Sequence, residues 1–354
     1  MANEINPGEG ISLNDLRETF ENKSSIERIV VDEIHNHDDL ISDVKFYPST
    51  KTDRDEAEYE TGKPKARHHM MGEGRVPSGR SSQIKSVTPC ESYAMMRILE
   101  DRYLRHKKAG TAEEFLRKEI RAQVASRGEL MVMDMLYGSR KVDIKGMNGL
   151  ATFYGTIGSS YGSDLDYSTR TMDLFPSACN KATAGDIANL RDIFAVTFSK
   201  DGVKPFYPKD VPNIGLDFGE KMERVPEKDP KNGGTIWYLE RVFTWNGGLN
   251  VVNPTKAGRL VNIPVDKIAT ASGYAKELLE KLIRFTDLVK AGPGEKTILY
   301  MEPKLWTEIK ILLASLKWQN AFKDEDIDTT HKRMLFGKEV RLNESQAFAQ
   351  KLVA

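Results

Sequence analysis

Cysteine is nearly absent: the 354 residues contain two, Cys90 and Cys179. Two isolated thiols match no metal-ligand spacing and form no disulfide framework, so both are expected to be free in a reducing cytoplasm. Long apolar runs are missing too. A helix needs about 20 apolar residues to span a bilayer. The nearest candidate, Ile311 to Leu316, has six residues, one of them a serine. The segment Met1 to Gly10 is polar and acidic, which argues against a secretory signal. Net charge is also lacking, since 52 Lys and Arg balance 52 Asp and Glu. Proteins whose main task is gripping nucleic acid are usually strongly basic, so this balance argues against that class.

Recognisable chemistry is equally scarce. Gly74-Arg75-Val76-Pro77-Ser78-Gly79-Arg80-Ser81 has the glycine and hydroxyl spacing of a phosphate-binding loop. However, Arg80 stands where a lysine would contact the β- and γ-phosphates, no apolar strand precedes the loop and no helix follows directly. A nucleotide-binding enzyme using Gly74–Ser81 is therefore a weak alternative. The histidine pairs His35/His37, beside Asp38 and Asp39, and His68/His69 lack the helical i, i+4 spacing of two zinc-binding histidines, and no third ligand is evident. Asp324, Asp326 and Asp328 begin like a calcium loop, but Thr329 and Leu335 occupy its glycine and bidentate-glutamate positions. No serine sits in a nucleophile elbow. The expectation is a protein without catalytic, cofactor-binding or metal-ligating residues, that is, not an enzyme.

What the sequence does have is a charge imbalance along its length. Residues 1–60 carry a net −10, whereas residues 63–108 carry +7. Residues 1–46 read as an extended arm with one or two short helical turns. Residues 47–87 hold many charged, Ser and Gly residues with few large aliphatics, a long loop without a core of its own, which is usually functional or disordered. Thr88-Pro89-Cys90-Glu91 has the N-cap hydroxyl, first-turn proline and glutamate of a helix start. It predicts a helix to about Lys108 with Met95, Ile98, Leu99 and Tyr103 on one face. Thr111 and Glu114 form a second capping box, opening a helix to about Tyr137 that carries Leu116, Ile120, Val124, Met131 and Met135, with Gly128 as a weak point. At 1.5 Å per residue it would be roughly 40 Å long, a spine for an elongated molecule.

From Gly138 to Gly234 the chain reads as irregular, with one short helix capped at Thr183 and running through Ile187 and Leu190. Ile236–Trp245 alternates as a strand, with Leu249–Val252 and Leu260–Ile263 as partners around turns at Asn246-Gly247-Gly248 and Asn253-Pro254. Ser272–Lys290 predicts an amphipathic helix burying Leu278, Leu279, Leu282, Ile283 and Val289. Thr297–Met301 reads as a strand, Pro303 opens a further helix, and Met334–Phe336 with Glu339–Leu342 form a hairpin around Gly337. The tryptophans are expected in the core. The class is α+β.

Several of these segments resemble one family. Asp134-Met135-Leu136-Tyr137-Gly138, then Met147-Asn148-Gly149-Leu150 and Phe153-Tyr154, resemble the stretch after the spine helix in coat proteins of epsilon-fifteen-like short-tailed phages. Phe243-Thr244-Trp245-Asn246-Gly247-Gly248-Leu249-Asn250-Val251 and Arg259-Leu260-Val261-Asn262-Ile263 resemble that family's strand pair. Leu299-Tyr300-Met301-Glu302-Pro303 and Phe336-Gly337-Lys338-Glu339-Val340 resemble later landmarks. Their order covers most of residues 85–345.

The resemblance implies the Hong Kong 97 capsid fold, in either the prototype's topology or a rearranged one. It divides the chain into an N-terminal arm at 1–46, an extended loop (E-loop) at 47–87 and a peripheral domain at 88–150 with its spine at 111–137. An irregular region would follow at 151–234, then peripheral strands at 235–266 and an axial domain at 267–354. It implies a shell subunit associating with copies of itself as pentamers and hexamers around double-stranded DNA, with scaffolding, portal and possibly decoration proteins as partners and no membrane. Such a protein is assembled in the host bacterial cytoplasm and resides in the virion. An encapsulin-type cargo shell is the alternative within the same fold. The charge imbalance adds Asp38, Asp39, Arg67, Arg75, Arg80 and Lys85 as candidate contacts between copies.

Overall fold

The computed structural model describes residues 10–20, 26–37, 39–62, 68, 81–155, 170–174, 190–219, 222–229, 232–268, 272–316, 322–327 and 330–344. A short strand β1 (Ile11–Ser12) leads into helices α1 (Leu13–Phe20), α2 (Ile26–His37) and α3 (Asp39–Asp43). This is not an extended arm. Leu13, Leu16, Val30, Val31, Ile34, Leu40 and Ile41 recur at helical spacing and are buried in the main core. Strand β2 (Lys45–Pro48) follows.

The segment expected as a structureless loop contains β3 (Asp55–Gly62) and β4 (Ser81–Val87), paired antiparallel as a two-stranded ribbon with Asp55 opposite Val87 and Glu58 opposite Ile84. The stretch after it corrects a second expectation. Instead of one helix from Thr88 to Lys108 there is a strand, β5 (Cys90–Leu99), and then a nine-residue helix, α4 (Glu100–Lys108). Burial alternates along β5: Cys90, Met96 and Ile98 point inward while Tyr93, Met95 and Leu99 are exposed, the period of a strand. Met95 and Leu99 therefore do not share a face with Ile98. Ten residues of antiparallel pairing with the long strand described below outweigh the capping signal, and Pro89, just before β5, costs no ladder hydrogen bond there.

Helix α5 (Ala112–Tyr137) is the long helix expected here, of 26 residues. Thr111 is its N-cap residue, although its side chain makes no capping bond. Glu113 and Glu114 in the first turn suit the positive end of the helix dipole. Gly128 is buried inside α5 and does not interrupt it. After α6 (Leu150–Phe153) come the strands β6 (Thr171–Asp173), β7 (Leu190–Val196), β8 (Val203–Tyr207), β9 (Leu216–Asp217) and β10 (Glu223–Lys228). The helix expected from Thr183 falls largely outside the described residues, and Leu190, its last expected member, begins β7.

Next come β11 (Thr235–Val251), β12 (Ala257–Pro264), helix α7 (Ser272–Leu288), β13 (Ile298–Met301), helix α8 (Pro303–Ser315), β14 (Phe322–Ile327), β15 (Thr330–Leu335) and β16 (Lys338–Leu342). Here a third expectation fails. Asn246-Gly247-Gly248 is no turn, because β11 runs straight through it for 17 residues. The glycines serve packing: a Cβ on Gly247 would lie 2.1 Å from the Trp245 ring, and one on Gly248 would lie 2.7 Å from the Phe206 ring. Nor does β12 pair with β11. It lies between β7 and β6 in a different sheet. A bulge between Leu260 and Ile263 places Asn262 at φ 59°, with its amide donating to Asp173 Oδ1 at 2.8 Å. The expected hairpin around Gly337 is β15 and β16.

Two sheets result. The first runs β1-β2-β8-β11-β10, with β5 and β9 also paired to β11, and the second runs β14-β15-β16-β13-β7-β12-β6. The second sheet is buried on both sides. Ile193, Ala195, Leu299 and Met301 face a core completed by α7 and α8, while Phe194, Val196, Ile298 and Tyr300 join the core under α5. In α7, Leu278, Leu279 and Leu282 are buried as expected, but Ile283 is exposed. Trp245 and Trp306 are core residues and Trp237 is partly exposed. Trp318 lies outside the described residues.

Candidate assembly surface

The β3–β4 ribbon is held at its root by buried polar chemistry. Asp55 opens β3 with no exposure at all, and its carboxylate accepts from Lys204 Nζ at 2.6 Å, Asn250 Nδ2 at 2.9 Å and the Thr50 amide at 3.1 Å. Lys204 lies on β8 and Asn250 on β11, so the ribbon is tied to two strands of the first sheet. On the return side, Arg140 Nη1 donates to Thr88 Oγ1 at 2.5 Å and Nη2 to the Thr88 carbonyl at 3.0 Å. Beyond the root, Glu58, Gln83, Ile84 and Ser86 are exposed. A segment that is anchored firmly and then leaves the body has surface to offer to something else.

Of the residues expected to meet between copies, Asp38, Arg67, Arg75 and Arg80 lie outside the described residues, and Asp39 is placed only as the first residue of α3. Lys85 is turned toward its own chain, its amine 4.2 Å from the centre of the Phe153 ring, and burial pushes its pKa down to about 8. The neighbouring acids are engaged within the chain as well. Asp32 pairs with Arg17 at 2.7 Å, Glu33 with Arg121 at 3.7 Å, and Asp43 with Arg341 at 2.8 Å. Glu33 and Asp43 are thus answered in cis by basic residues distant in sequence. No composition count could reveal that.

Tyr137 and Arg259, which carried part of the family resemblance, turn out to join the end of α5 to the second sheet. Asp192 on β7, fully buried, accepts from Arg259 Nε on β12 at 2.7 Å and from the Tyr137 hydroxyl at the end of α5 at 2.8 Å. Arg259 Nη1 also reaches the Tyr154 carbonyl at 3.3 Å. Gly138 and Gly149 let the chain cross itself there, since a Cβ on either would come within 2.4 Å of the Asp134 carbonyl oxygen. Trp245 Nε1 donates to the Ile214 carbonyl at 3.2 Å. Sequence reasoning missed the exposed outward face of β5, because Tyr93, Met95 and Leu99 had been read onto a helix. The missed signal was the alternation itself.

Among the described residues, no group of three or more His, Cys, Asp or Glu side chains could hold a metal, and no helix is long and apolar enough to cross a membrane. Cys90 is a buried free thiol whose pKa is pushed up to about 11, first by burial. The Gly74–Ser81 loop lies outside the described residues except for Ser81, which begins β4.

Two mixed sheets, a long helix and a rooted ribbon make up a mixed helix-and-sheet fold of the Hong Kong 97 type. The model of the major capsid protein GP7 family matches residues 21–350, and the chain belongs to that family. It is a bacteriophage capsid shell subunit, located in the virion, and the role of its family is structural. Among solved structures, a chain in that of bacteriophage Epsilon15 is 12% identical, with 88% of each chain covered and a TM-score of 0.58. A chain of the bacteriophage JBD30 capsid is 11% identical over 88% of this chain and 90% of that one, at 0.47. The SrpI encapsulin of Synechococcus elongatus is 8% identical over 62% and 85%, at 0.35. The first is a likeness of fold; the other two overlays are looser and carry no weight. A search of the curated proteins finds no significant match.

Proposed function

We propose that copies of this chain form pentamers and hexamers that close into an icosahedral head around double-stranded DNA, without enzymatic activity. In this reading the β3–β4 ribbon is the E-loop reaching over a neighbouring copy, α5 is the spine of the peripheral domain, and the second sheet with α7 and α8 forms the axial domain, which takes in β12 from the 235–266 stretch expected as peripheral strands. Heterologous contacts of this kind close only when the rotation between copies permits it. Each can be modest, because many act together. A chain with no net charge suits a wall that must enclose DNA without gripping it. Scaffolding, portal and decoration proteins are the partners such a head requires, and assembly takes place in the host bacterial cytoplasm. Arg67, Arg75 and Arg80, in the basic segment beyond the ribbon root, are proposed to lie against acidic surface of the neighbour.

The observation that carries this reading is the ribbon rooted through Asp55, beyond which Glu58, Gln83, Ile84 and Ser86 are exposed. Electron microscopy of the purified protein, alone or with a scaffold, tests it, with rings, shells or tubes as the expected outcome. A monodisperse monomer at high concentration would overturn it. Replacing residues 57–85 by a short Gly-Ser linker is expected to leave a folded subunit that no longer closes shells.

A further inference from the structure

One loop presents apolar side chains that nothing among the described residues covers. After α5, residues 139–146 form a tight structure in which the amides of Val142 and Asp143 both donate to the Ser139 carbonyl at 2.9 Å. Arg140 Nε donates to the Gly146 carbonyl at 2.9 Å, and Lys145 N to Asp143 Oδ1 at 3.0 Å. The loop is therefore shaped, yet Val142 is 90% and Ile144 83% exposed. Two β-branched aliphatics at the tip of a hydrogen-bonded loop contribute nothing to the fold that displays them. Lys141 and Lys145 flank them.

The complementary surface is the outward face of β5 and β11. Tyr93 is 66% exposed, and it forms an open apolar patch with Met95 and with Val242, which is opposite Met95 in the pairing; Arg97 separates this patch from Leu99. Glu91 on β5 and Glu223 on the adjacent β10 are exposed on the same face of the sheet, where Arg97 already holds Glu240 at 2.7 Å and Glu227 at 2.5 Å. A basic apolar knob and an acid-rimmed apolar strip on one self-assembling chain match in both hydrophobicity and charge.

We propose that the 139–146 loop of one copy seats Val142 and Ile144 on the Tyr93–Met95–Val242 strip of a second copy. The contact is heterologous and head-to-tail, with Lys141 and Lys145 facing the glutamate rim. This rests on the capsid reading and goes beyond it by naming the two surfaces.

The test is the double variant Val142→Asp/Ile144→Asp, compared with the parent for fold by circular dichroism and thermal midpoint, and for assembly by sedimentation and microscopy. The fold should be unchanged, because both side chains are already in water. The concentration needed for assembly should rise tenfold or more, since loss of one buried aliphatic side chain already corresponds to about that factor. A second arm mixes Ile144→Cys subunits with Met95→Cys subunits under mild oxidation, where a disulfide-linked dimer between the two is expected. Cys90 is buried and does not compete, and parent and single-variant controls account for Cys179. Normal assembly of the aspartate variant would overturn the proposal, as would assembled mixtures without the cross-link. If the parent itself forms no rings or shells, it is the capsid reading that fails, so the two failures are distinguishable.

Discussion

Replacing Asp55 by alanine takes the acceptor away from three donors at once. In the parent the carboxylate is fully buried and receives Lys204 Nζ, Asn250 Nδ2 and the Thr50 amide at 2.6, 2.9 and 3.1 Å. Truncation leaves the Lys204 ammonium, whose side chain is 7% exposed, without its counter-charge. Breaking a buried pair by removing one partner costs about 3–5 kcal/mol. A domain's whole stability is about 5–15 kcal/mol, so the variant should be close to unfolding at 37 °C. Asp55→Asn should do little better, because a single amide oxygen cannot replace two carboxylate oxygens and its NH2 must face a donor. Adding Lys204→Met to Asp55→Ala removes the orphaned charge and should recover about half of the loss or more. Urea unfolding of the unassembled subunit gives these values from the midpoint and slope. A cost below about 1 kcal/mol for Asp55→Ala, or no recovery in the double variant, would refute the claim that this carboxylate fixes the ribbon root.

Other perturbations have equally definite signs. Arg127 on α5 is 3% exposed, its Nη atoms have no hydrogen-bond partner among the described residues, and burial pushes its pKa down to about 9. Arg127→Met should therefore raise stability by about 1–3 kcal/mol in the same urea assay. The Asp134 carboxyl is pushed up to about 6, mainly by burial and further by Asp143. Folding thus favours its neutral form, and that contribution is complete below about pH 4 and fades as pH rises through 6. Allowing for partial exposure, stability should fall by about 1–2 kcal/mol from this group between pH 4 and 7.5. Asp134→Asn should flatten that part of the profile, as read from midpoints at a series of pH values. Gly247→Ala would place a Cβ 2.1 Å from the buried Trp245 ring and should cost about 1–3 kcal/mol or more, seen as a lower thermal midpoint.

The elements whose apolar spacing matched a single period were legible in the sequence. The long helix α5, helices α7 and α8, strand β13 and the hairpin around Gly337 all stand where periodicity and capping put them. The failures cluster where a partner distant in sequence decides. Thr88-Pro89-Cys90-Glu91 has every local mark of a helix start, yet Cys90 pairs with Gly247 and Leu99 with Tyr238, and ten residues of ladder prevail. The Gly-Gly after Asn246 signals a turn only when nothing packs on it. Here the Trp245 and Phe206 rings do. The acidic N-terminal segment read as an arm because its charges mask the buried face of three short helices. Two of those charges, Glu33 and Asp43, find Arg121 and Arg341 far along the chain. Tyr137 and Arg259 were legible as part of a family pattern, but not as the junction they form with Asp192.

That junction and the Asp43–Arg341 pair have something in common. Arg341 makes two hydrogen bonds to Asp43, at 2.8 and 3.0 Å, linking α3 in the first core to β16 in the second sheet. Apolar contact between two layers is non-directional, so burial alone leaves their angle loosely specified. A two-pronged arginine–carboxylate contact is directional, yet it adds little stability over apolar replacements. A shell built from many copies needs the same angle in each, which gives such pairs a purpose that stability does not. We therefore predict that Asp43→Leu/Arg341→Met keeps the subunit within about 1 kcal/mol of the parent while its shells become heterogeneous in diameter or fall in yield by microscopy. Uniform shells at parental yield from that double variant would mean that packing alone sets the angle and that the ion pair is incidental.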